Sequence, residues 1–264
     1  LARRRLDAEL VRRGLARSRE QAQELIVAGT VRVAGTVASK AATQVEEAAA
    51  IEVGVVGDGY VSRGAHKLLG ALKVFGAAGL VVAGRTALDA GASTGGFTQV
   101  LLALGVEQVL AVDVGYGQLA WSLRTDPRVI VLERVNVRDL SSELLGAEPE
   151  LIVADLSFIS LALVLPALHN VAATGADFVL MIKPQFEVGR AQVGSGGVVR
   201  DPALRVAAIT KIATAALELG LGVKGVTASP LPGPAGNVEY FLWLTQGAPP
   251  LTDRAAVRAV EEGP

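Results

Sequence analysis

The sequence predicts an α/β protein: a mainly parallel sheet covered by helices on both faces, preceded by a small α-then-β module. Three observations predict it. From residue 64 onward, short apolar runs alternate with helix-period stretches, the grammar of strands joined by helical crossovers. Several of those runs end on an ionisable residue or a glycine-rich turn, as ligand-binding strand ends do in open α/β sheets. Residues 54–59 (Gly-Val-Val-Gly-Asp-Gly) form a natural boundary that separates this grammar from a different one at the start of the chain.

In the first 57 residues, Leu6, Leu10 and Val11 share a face over 6–14, and Gly14 is a stop. Ser18 is a plausible cap for a second helix that runs through Ala22, Leu25 and Ile26 and ends at Gly29. Short alternating runs follow at Val31 and Val33, at Val37 after an Ala34-Gly35 turn, and at Ile51 and Val53. The larger part has a helix pattern over 64–76. Its strands are expected at 86–90, 108–113, 129–133, 151–155, 177–183, 223–228 and 239–245, with further helices at 96–104, 117–124, 160–172 and 202–219. The organisation expected is therefore 1–57, a linker at 58–63, and 64–264. Gly-rich 189–197 and Pro/Gly-rich 229–236 are too long for tight turns and are candidates for loops that close over a ligand or for plain surface loops.

Composition excludes several chemistries. The 264 residues hold no Cys, so a thiol nucleophile, a disulfide framework, Cys-ligated zinc and an iron–sulfur cluster are all ruled out. With two His and no regular ligand spacing, no metal site is expected. The apolar fraction is 51%, yet 161–182 carries Pro166, His169, Asn170 and Asp177, and 68–84 carries Lys73, so neither reads as a membrane span. The Arg-rich start has no apolar stretch behind it and does not read as a secretory signal, which leaves a cytoplasmic location as the expectation. The net charge of −1 divides unevenly: residues 1–40 carry nine basic and four acidic side chains, a net +5, which leaves −6 for the rest. A basic end on an acidic body fits a module that meets a polyanion; a solvated helix face with a frayed terminus is the plainer account.

Residues 88–97 read Leu-Asp-Ala-Gly-Ala-Ser-Thr-Gly-Gly-Phe, an apolar run ending in Asp89, a glycine-rich turn and a helix start. Gly91, Gly95 and Gly96 do not have dinucleotide-fingerprint spacing, and no Gly-Lys-Ser/Thr follows. An acid in this turn would repel a pyrophosphate and suits a ligand with a positive centre. The next strand ends on Asp113, where a carboxylate can accept from both hydroxyls of a ribose. Together they describe an adenosine bearing an amino acid and no phosphate, S-adenosylmethionine, held by Asp89, Gly91, Ser93, Thr94, Gly95, Gly96, Phe97 and Asp113. Asn136, beyond the third strand, is either an adenine neighbour or a residue closing a turn. Asp155, Lys183 and Glu239 stand at the ends of later strands, and Lys67 lies on the first helix of the larger part. Lysine at the end of a strongly apolar strand is unusual because it is rarely buried unpaired.

On residues 62–67, 88–97, 155–160, 183–189 and 229–241 the chain resembles the TlyA family of ribosomal RNA 2′-O-methyltransferases, also labelled hemolysins, whose catalytic domain is of the FtsJ type. Residues 3–53 resemble the RNA-binding domain of small-subunit ribosomal protein S-four, through Arg5-Leu6-Asp7, Ser18-Arg19 and the run from Gly29 to Gly35. Ala34-Gly35 departs from the Asn-Gly that many such domains carry. The resemblance implies a Rossmann-like class I methyltransferase fold with a seven-stranded sheet and a small α+β RNA-binding domain. It also implies a Lys67–Asp155–Lys183–Glu239 tetrad that methylates the ribose of a cytidine in 16S and/or 23S ribosomal RNA, within assembled ribosomal subunits and with no obligate protein partner.

In that chemistry the sulfonium already activates the methyl group, and the protein aligns the 2′-oxygen and removes its proton. Lys183 is the base candidate. An ordinary lysine is only ~0.1% neutral near pH 7.4, equivalent to about 4 kcal/mol. Burial and a second ammonium lower a lysine's pKa, whereas neighbouring carboxylates raise it. With no Cys available, covalent methylation at a pyrimidine carbon is excluded, and Asp155-Leu156-Ser157-Phe158 lacks the prolines of amine methylases. Arg3, Arg4, Arg5, Arg17, Arg19 and Lys40 are the candidates for RNA phosphate contacts. Two further readings are a membrane-active hemolysin and a non-catalytic RNA-binding protein on a methyltransferase fold.

Overall fold

The computed structural model describes residues 3–16, 18–27, 29–53 and 59–264. The chain forms two compact units that divide between Ala65 and His66. Arg17 and residues 54–58 of the 54–59 stretch expected as a boundary lie outside the described residues.

In the first unit, β1 (Arg3–Arg5) leads into α1 (Leu6–Arg12) and α2 (Arg19–Val27), followed by β2 (Val31–Val33), β3 (Thr36–Val37), β4 (Gln44–Glu46) and β5 (Ile51–Val53). Leu6, Leu10, Ala22, Ile26, Val31 and Val45 make its core. The Ser18 hydroxyl accepts from the Gln21 amide at 3.2 Å and caps α2 as its sequence suggested. β2 pairs with β3 and β5 in a three-stranded antiparallel sheet. The Arg3–Arg5 run forms a strand: β1 pairs antiparallel with β4, with Arg3 opposite Glu46 and Arg5 opposite Gln44. The sequence reading missed both strands: a run of three arginines carries no alternation, and Gln44-Val45-Glu46 is too short to show one.

The second unit begins with α3 (Gly64–Ala77), whose first two residues belong to the preceding unit. It continues with β6 (Thr86–Ala90), α4 (Gly96–Ala103), β7 (Gln108–Asp113), α5 (Trp121–Arg124), β8 (Val129–Glu133), α6 (Ser142–Leu145), β9 (Leu151–Ala154), α7 (Leu161–Val171), β10 (Asp177–Ile182), α8 (Pro184–Glu187), α9 (Pro202–Glu218), β11 (Leu221–Ala228), β12 (Tyr240–Gln246) and α10 (Asp253–Glu261). Its sheet has the order β11-β12-β10-β9-β6-β7-β8. β12 runs antiparallel to both neighbours, and the other neighbouring strands are parallel. Alternate residues of the central strands serve opposite layers. Leu88, Ile152, Leu180 and Leu242 join the cluster made by α7, α9 and α10. On the other face Phe75 of α3 lies 5.7 Å from Trp243, and Phe97 of α4 lies 6.1 Å from Phe241. Both faces are thus covered, which is why β9 and β10 read as unbroken apolar runs.

Three local outcomes differ from the expectation. The helix expected at 117–124 shrinks to α5, because the Asp113 and Glu133 carboxylates accept from the Gly115 and Gly117 amides, at 2.7 and 2.8 Å, and keep that stretch out of a helix. α10 was not foreseen, although its signal is present in Thr252, whose hydroxyl caps it, and in Ala256, Ala259 and Val260 on one face. The short α6 and α8 were not foreseen either, being single turns too brief for a periodic signal. Among the described residues no helix is long and apolar enough to cross a membrane.

The β2–β3 turn holds Ala34 at φ 48° and Gly35 at φ 78°, so both central residues adopt the left-handed conformation. Alanine is strained there and asparagine is not. Ala34→Asn is expected to stabilise the first unit by about 0.5–1 kcal/mol, read from urea unfolding of the whole protein by amide exchange at β2 and β3.

Candidate functional site

The site is built at the carboxyl edge of the second unit's sheet, on the face covered by α3 and α4. Asp89, Asp113, Asp155 and Lys183 each continue the alternation of their own strand onto this face, in step with Val153, Val179 and Met181. Glu239 arrives from the antiparallel strand: Ile182 pairs with Tyr240, so the next rung sets Lys183 opposite Glu239.

The glycine-rich turn lies directly against the end of β9. Gly91, at φ 88°, approaches the carbonyl oxygen of Asp155 so closely that a Cβ would stand 2.5 Å from it. Gly95, at φ 99°, opens α4 where a side chain would run into Leu119 and Leu123. Ser93 donates its amide to Asp113 Oδ2 at 2.8 Å, and the Thr94 carbonyl accepts from the Ala120 amide. Gly96 is the first residue of α4. The Phe97 ring is not brought to the turn; it is buried against Phe241. Asn136 accepts from the Arg138 amide at 3.1 Å and caps a single 3-10 turn, which is the turn-closing arrangement.

Asp89 is fully buried and takes a 2.6 Å hydrogen bond from the Thr98 hydroxyl on its Oδ2, while its Oδ1 has no partner. Burial pushes its carboxyl up to about 7, the Thr98 bond opposes that, and the nearby Asp155 and Asp113 charges add to it. Thr98 was missed by the sequence reading, since nothing in a lone Thr one turn into a helix announces a partner nine residues back. Asp113 accepts from the Gly115 amide and the Gln118 side-chain amide on Oδ1 and from the Ser93 amide on Oδ2, which keeps a lone pair for a further donor.

Two lysine–carboxylate pairs stand at the same edge. Lys67 Nζ meets Glu239 Oε2 at 2.6 Å, both nearly buried, and Gly233 lies so near that a Cβ on it would reach within 2.6 Å of Glu239 Oε1. Lys183 Nζ meets Asp155 Oδ1 at 2.6 Å and donates to Ser157 Oγ at 2.9 Å. Ser157 was another residue not foreseen. Beside it Phe158 is 90% exposed and held at φ 65°, with its ring 5.2 Å from that of Phe186. A bulky residue at positive φ costs about 1–3 kcal/mol and collects at functional sites. Loop 229–236 is tied down: Asn237, at its foot, accepts from the Val199 amide at 2.9 Å and donates to the Gly197 carbonyl at 2.8 Å, which joins it to the other Gly-rich loop.

In the first unit the basic residues are partly spoken for. The buried Asp7 carboxylate takes hydrogen bonds from Arg5 at 2.9 and 3.1 Å and from Arg19 at 3.0 Å. Arg5 above all holds its carboxyl below the ordinary range. Arg12 and Arg13 do the same for Glu9. Arg3 reaches Glu46 at 3.4 Å, and Arg4 and Lys40 are exposed.

A parallel sheet with an antiparallel last strand and an acid-bearing glycine turn after its leading strand is the architecture of Rossmann-like methyltransferases. The chain belongs to the FtsJ-like methyltransferase family, whose match spans residues 60–246, and residues 4–51 match the S4 domain. It is 60% identical over 266 residues to the 16S/23S rRNA (cytidine-2′-O)-methyltransferase TlyA of Mycobacterium tuberculosis, covering 98% of each chain. It is 39% identical over 238 residues to Hemolysin A of Brachyspira hyodysenteriae, covering 90% of this chain and 98% of that one. A solved hemolysin-named structure from Streptococcus thermophilus matches with a TM-score of 0.78 at 36% identity, covering 98% of this chain and 95% of the other.

Asp89 carries a pH signature. Its folded carboxyl titrates near 7 against an ordinary value of 3.8, so the folded protein binds the extra proton between those values. Its contribution to stability is therefore full below about pH 4, falls as pH rises through 7, and is level above. Asp89→Asn is expected to match wild type in chemical denaturation near pH 4 and to exceed it in stability at pH 8.

Proposed function

We propose that the protein transfers a methyl group from S-adenosylmethionine to the ribose 2′-hydroxyl of a cytidine in ribosomal RNA, 16S and/or 23S, within assembled subunits in the cytoplasm. The observation that carries this reading is the pair of 2.6 Å lysine–carboxylate contacts, Lys183–Asp155 and Lys67–Glu239, at the sheet edge that holds the glycine turn. The name of the 60% identical relative supports the substrate.

The turn suits the cofactor. The unpartnered Oδ1 of Asp89 can receive a cationic amino group, the remaining Oδ2 lone pair of Asp113 a ribose hydroxyl, and the side-chain-free Gly91 and Gly95 keep the approach open. When bound, S-adenosylmethionine supplies a methyl group made electrophilic by its sulfonium.

The chain's own residues do the rest. Lys183, after giving up its own extra proton to solvent, accepts the proton of the 2′-hydroxyl on its neutral Nζ, Asp155 and Ser157 aim that Nζ, and Lys67 with Glu239 orients the hydroxyl. Phe158 offers its exposed ring as a stacking surface for the base of a nucleotide turned out of its helix. Residues 1–57 hold the RNA, 58–63 link, and 64–264 carry the chemistry.

Lys183→Ala is expected to lower methyl transfer by about 10²–10⁴-fold, measured with tritiated cofactor on unmodified ribosomal subunits, while calorimetry shows cofactor affinity unchanged. Transfer at the wild-type rate would remove Lys183 from the chemistry. Reversing the exposed Arg4 and Lys40 to Glu is expected to weaken subunit binding and to flatten its salt dependence, by about one unit of the log–log slope for each phosphate no longer neutralised. Filter binding between 50 and 200 mM salt checks it.

A further inference from the structure

The segments that follow β9 and β10 are joined at three successive levels. Nearest the sheet, Lys183 meets Asp155 at 2.6 Å and Ser157 at 2.9 Å. Next, the Phe158 ring lies 5.2 Å from Phe186. Farthest out, the Ser160 hydroxyl donates to Glu187 Oε2 at 2.5 Å and the Leu161 amide to Glu187 Oε1 at 2.8 Å. Lys211 of α9 closes the outermost level from behind, reaching Glu187 Oε2 at 3.1 Å, the Glu187 carbonyl at 2.8 Å and Ser160 Oγ at 3.3 Å.

The Glu187 side chain is 1% exposed. A carboxylate so buried is costly unless its lone pairs are all used, and nothing in the proposed chemistry uses it. What it does hold is the first turn of α7, an eleven-residue helix whose free amides and dipole favour a negative charge there. Because Glu187 ends the short α8 that begins immediately after Lys183, fixing it to Ser160 and Leu161 fixes both ends of each segment. Residues 155–160 and 183–187 then have little freedom to slide past each other.

We propose that Glu187 is a positioning residue for methyl transfer, the outer anchor that keeps Lys183 in register with Asp155 and Ser157 and holds Phe158 beside Phe186. This rests on the functional reading above. A shift of about 1 Å in a reacting group costs on the order of 100-fold in rate, and Glu187 is placed to prevent that shift without touching substrate.

Glu187→Ala is therefore expected to lower kcat about 100-fold, counted per cofactor-binding molecule, with KM for ribosomal subunits and cofactor affinity within about threefold of wild type. Glu187→Gln, which keeps an acceptor for the Leu161 amide, recovers most of that loss. Arg85→Met breaks the half-buried ion pair with Asp177 at the opposite end of the strands, and it lowers the melting temperature without lowering kcat. In crystals of Glu187→Ala the Lys183–Asp155 pair opens. Should that variant not fold, Ser160→Ala takes its place, with a kcat loss of about 10-fold. Wild-type kcat in the alanine variants, a Gln variant as poor as Ala, an equal loss in Arg85→Met, or a Lys183–Asp155 pair that stays closed would each overturn the proposal. A wild-type protein that transfers no methyl group would instead overturn the proposed function, and the state of that pair in the crystal would still decide the role of Glu187.

Discussion

Charges held at the dry end of an apolar sheet are the constraint on which the second unit depends. β9, β10 and most of β12 are buried on both faces, yet Lys67 and Glu239 lie among them almost without solvent. Losing one partner of such a pair leaves a buried charge that costs about 3–5 kcal/mol. The 2.6 Å approach between them therefore dictates much around it. α3 must bring Lys67 to the start of β12, and residue 233 must lack a side chain because one would strike the Glu239 carboxylate.

The long loops answer to the same requirement. The 229–236 stretch returns the chain antiparallel to β10, which is what sets Glu239 across from Lys183. Asn237, buried and bonded through both its amide oxygen and its amide nitrogen, ties it to 197–199. On the neighbouring strands the 155–160 and 183–187 segments are pinned by Glu187 and Lys211. Apart from Lys67 on α3, the side chains that would do the chemistry thus stand on loops, and buried polar contacts make those loops as determinate as the strands they leave.

In the first unit the balance is different. Asp7 and Glu9 are buried within a basic module and each collects two arginines. The net +5 read from residues 1–40 is real as a sum, yet Arg5, Arg12, Arg13 and Arg19 are already engaged. Held in this way, the guanidinium groups have fixed directions, and Arg13 also donates to the Ala49 and Glu47 carbonyls.

Much of the second unit was legible because its strands are short apolar runs with turn chemistry at each end, so every one of the seven expected strands is present, with ends shifted by two residues at most. Of the elements that escaped, β1, β4, α6 and α8 are three or four residues long, too short to show a period, while α10, nine residues long, was missed although its cap and apolar face stand in the sequence. The sequence by itself determined which residue types stand at strand ends, and so that Asp89, Asp155, Lys183 and Glu239 would gather at one edge, since strand parity and a parallel sheet leave few other arrangements. Only the tertiary structure decided the partners. That Lys67 takes Glu239 across 172 residues, that Lys183 takes Asp155, that Asp89 is buried enough to titrate near 7, and that Phe97 turns into the core all depend on distances and desolvation set by packing. No local run of residues contains either.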